Sequence, residues 1–448
     1  MVNISVNEKN TVSPIKPMHA VGQPPFLGIN FNYCTYLKDA NIPYSRLHDI
    51  GGPYGGYRFV DIPNIFRDFS ADETKEENYD FTFTDILITS LMNFNCEPVF
   101  RLGVTIENEH NIKAYRIFPP TDTEKWARIC EHIIRHYNEG WANGFHYGIK
   151  YWEIWNEPDN GIDERTNMMW HGSKEEYFEL YRVTSKHLRK CFGDTIKIGG
   201  YASSGFYIAM LGDVGSIMAT AVGQLEGYSV EWEERRRYFV TFFEEFLDIV
   251  VKERLPLDFF SHHSYASTED TLKMQKYVED KLSEAGLTET EIHLNEWNPN
   301  ARISERGTAL AAAEATAMMI AMQKTKMDMM CYYDARIGQS VFGGMFNPIT
   351  YKPFAIYYAF KAFGFLYKLG TEIETTSDSK DVYVLAAKNE DRVGILISNR
   401  GNDTSISLSF NKELKSYIID EENALTECAI NKSDFTLKQN QVLYLETV

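Results

Sequence analysis

Two stretches of the chain share an arrangement of residues that could do acid–base chemistry. Tyr151-Trp152-Glu153-Ile154-Trp155-Asn156-Glu157-Pro158-Asp159 is an apolar run closed by Asn-Glu and a proline, and Ile292-His293-Leu294-Asn295-Glu296-Trp297-Asn298-Pro299 repeats that ending. Proline has no N–H for a sheet ladder, so each run reads as a short buried strand that stops at its glutamate. Alternation along the first run puts Trp152, Ile154 and Asn156 on one face and Glu153 and Trp155 on the other. If both strands belong to one barrel, Glu157 and Glu296 converge across its mouth, where C-terminal strand ends gather reactive groups. Cleavage of a glycosidic bond needs such a pair: one carboxylic acid to protonate the departing oxygen, and one carboxylate to attack the anomeric carbon or activate water. Each glutamate also has a structural reading, Glu157 as a cap for the next helix and Glu296 as an ion-pair partner of Arg46. The repeated setting favours chemistry for the pair. Glu153 and Trp155 read as pointing into the barrel–helix layer or the barrel interior, and Asp159 as a turn residue.

The elements that would hold this pair are legible as a pattern. Apolar runs at residues 26–31, 44–48, 97–102, 151–155, 196–201, 257–262, 291–294 and 329–333 read as eight buried strands. Helical patterns lie between most of them, at 84–94, 123–138, 174–191, 238–253, 268–284 and 307–324. Strands alternating with helices predict a parallel sheet, and eight such units predict a closed (β/α)8 TIM barrel of the α/β class. After about residue 366 the spacing is that of strands alone, at 381–387, 392–398, 405–410, 416–419 and 442–446, which predicts an accessory antiparallel β-sandwich. The expected division is an N-terminal segment, 1–25, pairing with the edge of that sandwich; a catalytic barrel, 26–365; and the sandwich domain, 366–448.

Composition narrows the partners. A formal charge of −18 on 448 residues disfavours nucleic acid and anionic membranes. The six cysteines, Cys34, Cys96, Cys130, Cys191, Cys331 and Cys428, form no C-x-x-C pair or short Cys/His cluster, so neither a disulfide framework nor a structural zinc site is expected. The adjacent His262 and His263 face opposite ways on a strand, and no metal is expected there. No apolar run is long enough for a membrane span, and the first 25 residues lack a signal-peptide core; the expectation is a cytoplasmic protein. Nothing in the sequence sets an oligomeric state. Aromatic residues reach 14%, and Tyr and Trp present faces suited to sugar rings.

The Trp155-Asn156-Glu157-Pro158 and Asn295-Glu296-Trp297 motifs, on the fourth and seventh predicted strands, resemble those of the retaining (β/α)8 glycoside hydrolases. Within that clan the chain is most similar to glycoside hydrolase family 39, the β-xylosidase and α-L-iduronidase family, over about residues 26–448. The resemblance implies Glu157 as general acid/base, Glu296 as nucleophile, and Asn156 on the 2-hydroxyl of the sugar beside the scissile bond. It further implies Arg46 and Tyr265 as supports of the nucleophile and His263 as part of a sixth-strand His-x-Tyr. No cofactor is implied. His48, Trp297, Tyr54 and Tyr57 are candidate pocket residues, the tyrosines in a glycine-rich loop after the second strand. Glu107-Asn108-Glu109-His110, Arg116 and Trp170-His171 are further loop candidates. The implied activity is a retaining, exo-acting β-xylosidase on oligosaccharides. Alternatives are a galactosidase, glucosidase, arabinosidase or endo-glycanase on the same fold, or a non-catalytic glycan-binding protein. Asn295, Trp297 and His262 depart from the xylosidase pattern of that family, which bears on sugar choice rather than mechanism.

Overall fold

The computed structural model describes residues 1–49, 60–105, 117–161, 167–204, 229–299, 303–338 and 342–448. Eight parallel strands close into a barrel: β2 (Ala20–Gly22), β3 (Tyr44–Leu47), β4 (Glu97–Leu102), β5 (Tyr151–Ile154), β6 (Lys197–Ser203), β7 (Phe259–Ser264), β8 (Glu291–Trp297) and β9 (Met329–Tyr332). The ring is completed where Ala20 pairs with Cys331. Outside it stand α3 (Thr82–Asn93), α4 (Thr123–Asn138), α5 (Lys174–Phe192), α6 (Ser229–Glu253), α7 (Thr268–Glu284), α8 (Ala309–Gln323) and α9 (Ala355–Leu369), preceded by the short α1 (Thr35–Asp39) and α2 (Ile62–Ile65). No helix among the described residues is long and apolar enough to cross a membrane.

The first barrel strand corrects the sequence expectation. Residues 26–31 do not form it: Phe26 makes an isolated antiparallel bridge to Asn32, and Ile29–Phe31 is a 3-10 turn with Ile29 72% exposed. Pro24 and Pro25 lack N–H groups and end any ladder there. The strand is Ala20–Gly22, three fully buried residues, too short for its period to stand out.

Residues 1–25 therefore serve two sheets. β1 (Val2–Pro14) lies inside a second, nine-stranded sheet, antiparallel to β10 (Thr371–Ser377) on one side and parallel to β13 (Thr404–Ser409) on the other, rather than at its edge. The remaining strands are β11 (Val382–Lys388), β12 (Val393–Asn399), β14 (Leu414–Ile419), β15 (Ala424–Cys428), β16 (Phe435–Leu437) and β17 (Val442–Thr447), in the order β15-β14-β17-β12-β11-β10-β1-β13-β16. All its pairings but β1–β13 are antiparallel. Alternation gives this sheet two apolar faces. Val384, Ile395, Ile397 and Leu443 form its own core with Ile4 and Ile406, while Leu385, Leu396, Val442 and Tyr444 join the barrel core through α8 and α9. The Ser398 hydroxyl donates to the Ala313 carbonyl of α8 at 2.8 Å, a second tie between the two bodies. Strand structure begins at Thr371, after α9 has run on to Leu369, five residues past the expected boundary at 366.

Helix α9 closes on the loop before β3. A Cβ at Gly364 would stand 1.9 Å from the Ala40 carbonyl oxygen, so only glycine allows this approach. Gly364→Ala gains roughly 1 kcal/mol of helix propensity, but the clash forces the helix away from β3 at a cost of about 1–3 kcal/mol. The expected net result is a lower Tm, read by thermal denaturation; an unchanged or raised Tm would show that the helix moves freely.

Candidate active site

The mouth of the barrel is built where alternation breaks. In β5, Tyr151 and Glu153 point inward. Tyr151 meets Phe259 and His293 in the lowest interior layer, and Trp152 and Ile154 point out into the helix layer. Continued alternation would send Asn156 outward with Ile154. Instead Trp155 adopts a left-handed backbone (φ 74°), which resets the phase and turns Asn156 inward, a correction to the sequence reading. Trp155 itself packs against Trp126 and Trp170 and donates its indole N–H to the Met169 carbonyl at 2.9 Å. Glu157 is also left-handed (φ 48°), with its N–H on the Ala202 carbonyl of β6.

β8 reaches the mouth by a different device. Its pairing with β7 runs His262 to Leu294 and then His263 to Glu296, leaving Asn295 as an extra residue. Such a bulge re-aims the side chains beside it. Asn295 and Glu296 consequently both reach polar partners inside the barrel, and Trp297 turns outward.

One guanidinium links the site. Arg46 on β3 is 1% exposed. Its Nε donates to Glu153 Oε2 at 2.8 Å, Nη1 to Glu296 Oε1 at 2.8 Å and Nη2 to Asn156 Oδ1 at 2.6 Å. Glu153 is further held by the Ser261 hydroxyl at 2.6 Å and by the Asn295 amide. The second oxygen of Glu296 accepts from the Tyr265 hydroxyl at 2.7 Å. Glu157 accepts from Asn160 Nδ2 at 2.7 Å, and His263 Nδ1 lies 2.7 Å from its other oxygen. His263 also stands 3.6 Å from Glu296 Oε2. One oxygen of each of these two carboxylates and a ring nitrogen of His263 fall within 4.8 Å of one another.

The electrostatics follow from burial and this crowding. Burial alone would lower the Arg46 pKa, but Glu153 and Glu296 outweigh it and raise it, so the guanidinium is a fixed charge. Glu296 is pushed up to about 6, first by burial and then by Glu157 and Asp49, against the pull of His263 and Arg46. Burial lowers His263, so the ring is neutral and its Nδ1–H donates to Glu157. The Nδ2 of Asn156 is buried with no hydrogen-bond partner among the described residues.

A supporting layer lies beside this centre. His48 is held well below its usual pKa by burial and by Arg101, which makes it neutral. Its Nδ1 accepts from Arg101 Nε at 3.2 Å, so its Nε2–H points at Asp49 Oδ1, 3.1 Å away. Asp49 also accepts from the Tyr333 hydroxyl at 2.7 Å, and its carbonyl accepts from Arg336 at 3.0 Å. Arg101 is anchored on Asp61 at 2.7 Å. Asp159 is more than a turn residue: buried, and raised to about 6 chiefly by that burial, it accepts from the Ser203 hydroxyl at 2.6 Å and the Ser204 N–H at 2.9 Å.

The structure thus brings together Glu157, Glu296, Asn156, Arg46, His263 and Tyr265, while His48 belongs to the supporting layer with Arg101 and Asp49. Trp297 is corrected as a pocket wall: fully buried, its ring packs on Tyr332 and on Phe360 of α9, behind the barrel. Trp170 is likewise core, its indole N–H on the Ser173 carbonyl, and His171 meets Phe118 edge-on. Tyr54, Tyr57, Glu107-Asn108-Glu109-His110 and Arg116 lie outside the described residues. Sequence reasoning missed Glu153, Arg101, Asp49 and Tyr333 as parts of the site. A charge in the middle of an otherwise apolar strand was the available signal for Glu153 and Arg101.

A closed parallel barrel with inward carboxylates at two strand ends is the architecture of a (β/α)8 enzyme. The chain belongs to family 39 of the glycosyl hydrolases, whose model matches residues 56–305, more than half of it. A β-xylosidase of Geobacillus stearothermophilus is 23% identical over 280 residues, 54% of this chain and 47% of that protein. A β-xylosidase of Caldicellulosiruptor saccharolyticus is 23% identical over 359 residues, 72% of this chain and 64% of that one. The matches thus span less than two thirds of the length of either relative. Among solved structures, a glucosidase from Croceicoccus marinus superposes with a TM-score of 0.76 at 17% identity, covering 100% of this chain and 98% of its own. A family 39 β-xylosidase from Caulobacter crescentus gives 0.69 at 17% identity, covering 99% of each. These structural likenesses establish the fold.

Removing one partner of the buried Arg46–Glu153 pair should be costly. Glu153→Gln leaves a buried guanidinium short of a counter-charge, and an expected loss of about 3–5 kcal/mol would be read by urea denaturation. A loss under about 1 kcal/mol would mean that Glu296 alone compensates Arg46.

Proposed function

We propose that the protein is a retaining glycoside hydrolase in which Glu296 is the nucleophile and Glu157 the general acid/base. The observation that carries this reading is the approach of the two carboxylates, with oxygens within 4.8 Å. Retaining enzymes hold their carboxyl groups about 5–5.5 Å apart and inverting enzymes about 6.5–9.5 Å, and the close approach of these two nearest oxygens supports the shorter arrangement. The two environments divide the roles. Glu296 has a fixed cation and a phenolic hydroxyl on its oxygens, which favour the ionised form that attacks the anomeric carbon. Glu157 instead has the neutral His263 imidazole at 2.7 Å and the Asn160 amide at 2.7 Å on its oxygens.

In the first step Glu157 gives its proton to the departing oxygen while Glu296 bonds to the anomeric carbon. The ester so formed removes the negative charge of Glu296, which lowers the proton affinity of Glu157. Glu157 then takes a proton from the attacking water, and the ester is released. The unpartnered Asn156 Nδ2 offers a hydrogen bond to the sugar hydroxyl beside the reacting carbon. The substrate we infer is a short oligosaccharide cleaved from its end, with a β-xyloside first among sugars. Support for xylose comes from the two curated relatives, both β-xylosidases.

A panel of nitrophenyl glycosides tests sugar and anomer together, and the reading fails if none is turned over. With a reactive substrate in hand, a 2-fluoro glycoside should inactivate the enzyme and label the peptide containing Glu296; label on any other carboxylate would overturn the assignment. Glu157→Gln should reduce kcat about 10²–10⁴-fold for substrates with poor leaving groups, and far less for dinitrophenyl glycosides in the first step. Because Glu296 must be ionised and its pKa is about 6, kcat/KM should fall as pH drops through that value, the acid limb of a bell whose alkaline limb marks loss of the Glu157 proton. A pH–rate profile flat down to pH 4 would exclude Glu296 as the titrating nucleophile.

A further inference from the structure

A second group of ligating side chains lies away from the barrel mouth, between the two helices that flank β5. His187 and Cys191 are four residues apart on α5, so both face the same way. Across from them on α4 stands Glu131. Glu131 Oε2 lies 2.6 Å from His187 Nε2, and Cys191 Sγ lies 3.6 Å from that nitrogen. All three ligand atoms fall within 4.8 Å of one another.

We propose that Glu131, His187 and Cys191 form a binding site for a divalent transition cation, zinc foremost, with water as the fourth ligand. The donor set is one soft sulfur, one imidazole and one carboxylate oxygen, a combination that suits zinc or cobalt rather than calcium or magnesium. Neighbouring ligands of a tetrahedral zinc stand about 3.3–3.6 Å apart, given bonds of about 2.3 Å to sulfur and about 2.0–2.1 Å to nitrogen or oxygen. The sulfur–nitrogen spacing already has that value. The nitrogen–oxygen contact is a hydrogen bond, and it must open by about 0.7 Å as the cation replaces the shared proton, which passes to solvent. The Cys191 thiol gives its proton to solvent in the same event.

The surroundings support the site. Glu131 and His187 side chains are 15% and 26% exposed, and Cys191 is half-buried, so a cation can enter and keep a water. Arg135 donates to the other carboxylate oxygen, Oε1, at 2.8 Å, and is tied in turn to Glu139 and stacked on Phe192. That arrangement fixes the carboxylate with Oε2 facing the histidine, as supporting hydrogen bonds do for metal ligands. α4 precedes β5 and α5 follows it, so a cation here would pin together the two helices flanking the strand that leads to Glu157. The His187-x-x-x-Cys191 pair is readable in the sequence, but the third ligand comes from 56 residues away and only the helix packing supplies it.

The test is a cobalt titration of the whole, chelator-stripped protein. A thiolate-to-cobalt charge-transfer band with the visible bands of tetrahedral cobalt should grow in, saturate at one equivalent and vanish on adding zinc. Cys191→Ser should lose the charge-transfer band, His187→Ala should lose saturation at one equivalent, and Cys428→Ser should keep both. Zinc should raise the Tm of the parent and leave those of Cys191→Ser and His187→Ala unmoved. No charge-transfer band, or a band that survives Cys191→Ser, would overturn the proposal. The sulfur band separates this site from Glu157, His263 and Glu296, which offer no thiolate. It is read without substrate, so its outcome is independent of glycosidase activity.

Discussion

The Arg46 guanidinium, buried between Glu153, Glu296 and Asn156, sets the conditions under which the rest of the barrel interior can exist. A lone buried charge of this kind costs several kcal/mol in desolvation, so its neighbours must be anionic or accept hydrogen bonds in every direction it points. They are: three strands, β3, β5 and β8, meet at one cation. Glu153 supplies the counter-charge that makes the arrangement affordable and is itself held by β7 and β8 through Ser261 and Asn295. Register around half the barrel is thus fixed by polar contacts at its centre, while the apolar layers below and outside fill space around them.

The same cation explains why two glutamates a few ångströms apart can differ. Arg46 has two carboxylates within reach, and Glu153, deeper and fully buried, takes two of its nitrogens. Glu296 receives the third side of a charge already shared. Burial, with Glu157 and Asp49 nearby, then raises its pKa to about 6 despite direct contact with a guanidinium, close enough to neutral pH for the group to be ionised there. Glu157 sits on the other side of the neutral His263, whose Nδ1 lies 2.7 Å from Glu157 and 3.6 Å from Glu296. Unequal sharing of one cation thus gives the two carboxylates different surroundings.

How much of this was legible in the sequence depended on scale. The (β/α)8 barrel was readable because buried strands and amphipathic helices repeat over long stretches, and the paired Asn-Glu-x-x/Pro endings located Glu157 and Glu296. Alternation failed at the mouth, where Trp155 turns left-handed and Asn295 is an extra residue in β8; neither departure leaves a local sequence signal. β2 was missed because three residues between prolines have no period to read. Glu153 was seen and set aside, since one residue's charge says nothing of the arginine 107 positions earlier that it meets.

The failures cluster at the mouth of the barrel, and there is a physical reason. A strand that alternates perfectly shows the barrel interior every second residue, so a motif of adjacent Asn-Glu can offer only one of the pair. To bring Asn156 and Glu157 to one side, and Asn295 and Glu296 to another, the backbone must break its period on both strands. Left-handed residues do this on β5 and a bulge does it on β8. Both are backbone conformations that cost energy in isolation, and both are over-determined here: Trp155 by its indole bond and two flanking tryptophans, Asn295 by its bond to Glu153. The tryptophans beside the two glutamates therefore shape the mouth indirectly. They face away from the mouth and hold in place the irregular backbone that turns the carboxylates toward it.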